Sequence, residues 1–401
     1  MKDIMDYGEA RELILQRVAP VGTEKAPLSL CGGRILAQKL TAAENVPAFD
    51  RSPYDGYAFR AADTAQTPVT LTVIEEAPAG AVATKTVAPG TAAKILTGAP
   101  IPSGADAVVK FEQTDFTPET VTIHTRFRPG ENIVRAGEDV RAGAELAHAG
   151  QRIDPGLAGT LAAQGVYAPA VYRRPRVGVI STGNEVVEEE AAAPPAPGKI
   201  RNTNRYMLEA ALRSAGCEPV FLGVAPDRAE AIRDAMARGL GACDAIILTG
   251  GVSVGDYDMT RAAMELLGAE LLVSGMDLKP GGACACGMRD GVLLCGLSGN
   301  PASAMTCFYG VMLPALRKLA GWEEPRLRPV TVTLGADFPK KSPKPRLLRG
   351  RLELADGTAR FFPGNQGNAV ISSLMGCEAL AEVSAGSGPI PAGTALKGYL
   401  L

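Results

Sequence analysis

Histidine is almost absent from this 401-residue chain, which contains only His124 and His148. Neither stands at metal-ligand spacing. Both precede Ser253, so Gly251-Val-Ser-Val-Gly255, a match to the G-x-S-x-G elbow, lacks the histidine that follows the serine in that hydrolase fold. The phosphate-loop pattern G-x-x-x-x-G-K-[ST] is also missing. There is no charge excess either: 41 Lys and Arg stand against 43 Asp and Glu, for a net charge of -2. Nothing electrostatic therefore points to nucleic acid or an anionic membrane as partner. A basic, apolar leader and long uncharged apolar runs are lacking, and the expectation is a cytoplasmic protein with no membrane span. No internal repeat indicates a solenoid.

Cysteine is present but not in a framework. Cys31, Cys217, Cys243, Cys284, Cys286, Cys295, Cys307 and Cys377 are scattered through segments that read as strands and helices, as expected for reduced, buried thiols. Cys284-x-Cys286 alternates along an apparent strand with no histidine nearby, which favours small core residues over a zinc site.

The length predicts two to four domains. Ala10, Leu13, Ile14 and Val18 fall at helical spacing over residues 8–18, before a Pro20-Val21-Gly22 stop. Residues 45–140 read as an inserted β-rich module with short strands such as 69–74 and 119–125. Residues 151–163 return to helical periodicity, with Asp154-Pro155 as a start. From Arg176 strands at 176–180, 219–222, 244–248, 270–273 and 292–296 alternate with helices at 203–215, 228–238, 258–267 and 301–319. Uniformly apolar strands between amphipathic helices predict a doubly wound, mostly parallel α/β domain covered on both faces. Residues 188–197 read as a surface excursion rich in Glu, Pro and Ala. Strand-like runs at 330–334 and 349–354 predict a small C-terminal β domain. The resulting division is 1–44 with 141–173, then 45–140, 174–321 and 322–401.

Three of these strands end in glycine-bearing turns: Ser181-Thr-Gly-Asn-Glu185, Thr249-Gly-Gly-Val-Ser-Val-Gly-Asp256 and Leu297-Ser-Gly-Asn-Pro301. Ligands of open α/β sheets bind at that edge. Glycine admits close backbone approach, and amide groups at a helix start favour an anion. Ser181, Gly183, Glu185, Gly250, Gly251, Ser253, Gly255, Ser298, Gly299 and Asn300 are thus candidate ligand contacts. Asp256 and Asp258 sharpen the reading, because a carboxylate about 4 Å from a phosphate repels it by a few kcal/mol at an effective dielectric near 20. Either Mg²⁺ lies between them or the carboxylates face another part of the ligand. Asp258 as a helix N-cap and Asp256 as a solvated turn residue remain the plain alternatives.

Phe49-Asp-Arg-Ser-Pro-Tyr-Asp-Gly-Tyr-Ala58, residues 96–109 from Leu96-Thr-Gly-Ala-Pro to Ala107-Val-Val109, Arg135-Ala-Gly-Glu-Asp139, Thr249 to Asp258, Lys279-Pro-Gly281 and Gly299-Asn-Pro-Ala-Ser303 occur in order along nearly the whole chain. Together they resemble the molybdopterin molybdenumtransferases, the MoeA and gephyrin E-domain family. The resemblance implies an elongated homodimer of four-domain subunits, with an inserted β domain, a molybdopterin-binding α/β domain and a C-terminal β domain. It implies insertion of molybdate into adenylylated molybdopterin with Mg²⁺ and release of AMP, downstream of a molybdopterin adenylyltransferase.

By position, the resemblance assigns Asp55, Asp139, Asp258 and Lys279 to catalysis, while Asp256 and Asp258 stand as the metal candidates on the charge argument. It adds Thr97, Asp227, Arg346 and Ser373 to the substrate contacts, with Glu138 beside Asp139. Asp55 also fits a simple Asp-Gly turn. Many members carry further lysines and a proline where this chain has Gly275, Gly282 and Ala283, and proline at Ser298. Lys279, Arg346 and Ser373 are then left as oxyanion contacts. A non-catalytic cofactor carrier or scaffold, and tungstate insertion, stay open at this point.

Overall fold

The computed structural model describes residues 4–188, 193–252, 259–355 and 357–401. Ser253, Gly255, Asp256 and Asp258 lie outside the described residues. The chain forms two compact units, one of residues up to 38, 149–154 and 168–401, the other of residues 39–148 and 155–167.

Helix α1 (Tyr7–Arg17) belongs to the first unit. Asp6 caps it by accepting from the Gly8 and Glu9 amides, and its buried face of Tyr7, Ala10 and Ile14 joins the core of the later α/β layers.

The second unit carries a six-stranded sheet of β1 (Gly56–Phe59), β2 (Val69–Ala77), β3 (Thr91–Ile95), β4 (Ala107–Lys110), β5 (Thr114–Phe116) and β6 (Thr120–Ile123), in the order β4-β1-β3-β2-β6-β5. Its core is Tyr57, Phe59, Leu71, Val109, Val121 and Ile123. Helix α2 (Pro155–Ala163) begins at the Asp154-Pro155 start, and the helical periodicity of the residues just before it is not used. Residues 151–154 are held extended, because Leu36 N–H donates to the Gln151 carbonyl and Ile153 N–H to that of Arg34.

The first unit is built on a six-stranded sheet of β7 (Arg176–Thr182), β8 (Glu218–Ala225), β9 (Ala245–Thr249), β10 (Glu270–Val273), β11 (Cys284–Arg289) and β12 (Val292–Leu297). The order is β8-β7-β9-β12-β11-β10, with the first four strands parallel, β11 antiparallel to β12 and β10 antiparallel to β11, so β11 alone runs against the other five. Helices α3 (Thr203–Ser214), α4 (Ala229–Leu240), α5 (Met259–Leu266), α6 (Pro301–Cys307) and α7 (Leu313–Leu319) cover it. Alternate residues of each strand face opposite layers. Val177, Val179, Ile247, Leu293 and Cys295 pack with Leu208, Leu212, Phe308 and Leu316, while Ile180, Ile246, Leu248 and Leu294 pack with Ile232, Met236, Ala263 and Met264. This is the doubly wound domain that the apolar strands predict, with one reversed strand, β11, next to the edge.

The helix expected over 301–319 is interrupted by a wide π turn at Phe308–Met312. Pro314 has no N–H to give the Gly310 carbonyl, so the preceding turn loosens. A closed barrel completes the unit, formed by β13 (Pro329–Leu334), β14 (Arg346–Ala355), β15 (Thr358–Pro363), β16 (Ala379–Val383) and β17 (Ala395–Leu400). All eight cysteines are free thiols; seven are buried and Cys377 is partly so.

Candidate active site

The carboxyl ends of β7, β9 and β12 open into a cavity of about 720 Å³. It is lined by Ser181, Gly183, Glu185, Asp227, Gly250, Gly251, Ser298, Gly299 and Asn300 among others, so the described candidates from all three turns and Asp227 meet in one place. Close strand-end packing shapes the turn after β9. Gly250 has φ +92°, and a Cβ there would sit 2.5 Å from the Thr182 hydroxyl and 2.7 Å from its carbonyl oxygen. Only glycine fits without displacement. Gly183, at φ +136°, would place a Cβ 2.7 Å from the Glu185 carboxylate, so its missing side chain leaves room for that group.

The three turns are not equivalent anion cradles. After β7 the chain makes a short pairing of Val186–Val187 with Ile200–Arg201 before α3 begins. At α6 the first amides are already used, because Ala302 and Ser303 donate to the Asn368 carbonyl at 3.1 and 3.2 Å. That carbonyl comes from the loop after β15, which joins the barrel to the pocket wall. Ala369 and Ile371 from the same loop line the cavity.

Polar side chains the strand-turn reading overlooked organise the wall. Ser181 donates its hydroxyl to Asn202 at 2.9 Å, and Asn202 also accepts from the Arg205 amide to cap α3 and donates to Glu188 at 2.6 Å. Asn204 donates to the Gly299 carbonyl at 2.9 Å, yet its buried Oδ1 has no partner among the described residues. Asn204 is among the residues that line the cavity, so an acceptor without a partner lies beside it. Asn202-Thr-Asn204 at the start of a helix was the available sequence signal. Asp227 accepts from the Asn184 amide at 3.2 Å.

A second cavity of about 470 Å³ adjoins the first and shares Ser298 and Asn300 with it. Gly275, Lys279, Gly281, Gly282, Ala283, Ser303, Lys344 and Asn368 contribute to its lining. The Lys279 backbone is anchored by donating to the Pro345 carbonyl at 2.9 Å and accepting from Leu347, which leaves the side chain exposed. Arg346 is not among the lining residues. Its side chain is buried over the Phe338 ring and donates to the Ser342 hydroxyl at 3.3 Å, and burial lowers its proton affinity. Ser373 donates to the Val370 carbonyl at 2.6 Å in the turn Ile371–Leu374.

Asp55, Thr97, Glu138 and Asp139 lie in the second unit. Thr97 directs two donors at Asp55, which holds the exposed carboxyl below the usual carboxylate range, the backbone N–H contributing most and the hydroxyl next. Asp139 is exposed on a separate loop, where its amide donates to the Val46 carbonyl and Glu138 accepts from the Arg135 amide. Among the described residues no group of three or more His, Cys, Asp or Glu side chains is placed to hold a metal ion.

A doubly wound sheet with two adjoining cavities at its carboxyl edge, one walled by a C-terminal barrel, defines the class of open α/β proteins whose ligand sites lie at the strand ends. Its sequence matches three family models in order: the MoeA N-terminal region (domain I and II) over residues 5–165, a probable molybdopterin binding domain over 178–318, and the MoeA C-terminal region (domain IV) over 331–401. It is 37% identical over 377 residues to a molybdopterin molybdenumtransferase of Bacillus subtilis, covering 92% of this chain and 87% of that one. A Staphylococcus epidermidis protein of the same name is 36% identical over 370 residues, with coverage of 91% and 88%. The crystal structure of a molybdopterin biosynthesis moeA protein from Pyrococcus horikoshii OT3 superimposes with a TM-score of 0.84 at 32% identity, over 100% of both chains. The chain belongs to the molybdopterin molybdenumtransferase family.

Proposed function

We propose that this enzyme inserts molybdate into adenylylated molybdopterin, releasing AMP and giving the molybdenum-bearing cofactor. The two contiguous cavities carry this reading. The larger, at the strand ends, accommodates a phosphorylated pterin, and the smaller, with Lys279 and Lys344, accommodates the oxyanion. Ser298 and Asn300, common to both, would lie between dithiolene and molybdate. Gly250 and Gly251 bring backbone close to the substrate, while Asn204 would accept from a pterin N–H.

Mg²⁺ is the proposed metal. Glu185 and Asp227 on the first cavity supply the hard oxygen donors that magnesium shares with phosphate oxygens. Asp256 and Asp258, outside the described residues, are proposed to complete the set. Bound there, the ion would screen the negative charge of the phosphoanhydride. Lys279 would offset oxyanion charge, and Asp55, Thr97 and Asp139 would act from the inserted β module. A four-domain division at 1–44 with 141–173, 45–140, 174–321 and 322–401, a homodimer, a cytoplasmic location and supply by an upstream molybdopterin adenylyltransferase belong to the same proposal. Among the described residues no helix is long and apolar enough to cross a membrane.

The test is direct. Purified protein given adenylylated molybdopterin, molybdate and Mg²⁺ should release AMP and yield cofactor that activates an apo-molybdoenzyme. Binding of the substrate without either product would leave a carrier in place of a transferase. Competition between tungstate and molybdate would establish which oxyanion is used.

A further inference from the structure

At the opposite, amino-terminal edge of the same sheet lies a cavity of about 300 Å³ whose lining includes Arg34, Arg152, Arg173, Arg174, Arg213 and Arg317, and no carboxylate. Three of these arginines are neutralised from behind. Arg34 pairs with Glu24, Arg173 forks onto Asp244 at 3.0 and 2.7 Å, and Arg213 meets Glu209 at 3.1 Å. Among the described residues Arg152, Arg174 and Arg317 form no ion pair with a carboxylate. Arg317 is partly buried and lies 5.1 Å from the Trp322 ring centre. Burial lowers its proton affinity, and the charge of Arg152 lowers it further.

Helices α3 and α7 both end at this cavity, and cations are often found there to satisfy terminal carbonyls. Here the backbone has already done so. Cys217 N–H donates to the Leu212 carbonyl and Gly216 N–H to that of Arg213, while Trp322 donates to Arg317 and Gly321 to Lys318. With Gly216 at φ +79° and Gly321 at φ +83°, both helices close in Schellman turns. The guanidinium groups are therefore surplus to capping, and the uncompensated positive charge converges on an open volume.

We propose that this cavity is a second anion site, for a small multivalent phosphate of the pyrophosphate class, distinct from the cavities at the carboxyl edge. Guanidinium forks match phosphate oxygens, and several around one volume favour an anion with more than one charge. This assignment does not depend on the transferase reading.

Isothermal titration of the full chain with inorganic pyrophosphate, in buffer without magnesium, tests it, with a parallel thermal-shift measurement. Arg152 and Arg174 are exposed, so the R152A/R174A double variant should fold. Saturable binding in the unaltered protein, weakened at least tenfold in the double variant along with the gain in Tm, is the expected result. Lys279→Ala should leave both intact. The proposal is overturned if no saturable binding occurs, if the double variant binds as well as the unaltered chain, or if Lys279→Ala alone removes the signal.

Discussion

Thr97 gives both its backbone N–H, at 2.6 Å, and its hydroxyl, at 2.7 Å, to one carboxylate oxygen of Asp55. Donors that favour the charged form lower a carboxyl pKa, so Asp55 stays ionised to lower pH than a free aspartate. Replacing Thr97 with Val removes the hydroxyl donor and should raise the Asp55 pKa toward its ordinary value, as read by carbon-detected NMR titration. If ionised Asp55 is needed for turnover, the acid limb of the pH profile moves up with it. An unchanged limb would remove Asp55 from the reaction.

Lys279 separates ligand chemistry from folding. Its backbone is bound on both sides while its side chain is exposed beside the second cavity. Lys279→Ala should change stability by no more than about 0.5 kcal/mol, the usual range for an exposed site. Molybdate dependence should suffer far more, with at least a tenfold rise in half-saturating molybdate. Equal molybdate dependence in the two proteins would place the oxyanion elsewhere.

Gly250→Ala adds one methyl group where the backbone is left-handed and Thr182 is too close for it. Strain of this kind costs about 1–3 kcal/mol. Denaturant unfolding should show that loss, and substrate affinity should fall because the turn must shift. A fully stable variant with intact affinity would mean the turn moves without cost.

Arg349 is fully buried in β14, where it donates to the Thr306 hydroxyl at 3.1 Å and to the Asn365 and Gly367 carbonyls at 3.2 Å, leaving Nε without a partner among the described residues. Arg349→Ala should destabilise the chain by roughly 2–4 kcal/mol through lost bonds and the vacated volume. Hydrogen exchange should quicken at Ala302 and Ser303, whose acceptor Asn368 sits in the loop Arg349 holds. Exchange confined to the barrel would break that link.

Much of this architecture was legible in the chain itself. Apolar strands such as Ala245–Thr249 are buried on both faces, so they read as strands of a covered sheet, and glycine marks their exits. Lys279 and the strand-end residues Ser181, Gly250 and Ser298 share the two linked cavities, as one surface would require. What escaped the reading depends on partners distant in sequence. The periodicity of 301–319 cannot reveal the wide turn before Pro314, and composition cannot foresee that Asn368 occupies the α6 amides or that Arg346 turns onto Phe338. The acceptor of Asn204 is visible only once the fold fills every other hydrogen bond around it. Asp256 and Asp258 lie outside the described residues, and their roles rest on charge arithmetic and resemblance.

The hold of Asn368 on Ala302 and Ser303 makes the barrel a structural part of the ligand wall instead of an appendage. A fragment stopping near Gly321 would retain every glycine turn of the α/β sheet and still bind poorly, because α6 would lose its first acceptor and the cavity would lose Ala369 and Ile371. Grafting the sheet alone into another scaffold would transfer the motifs without transferring the site.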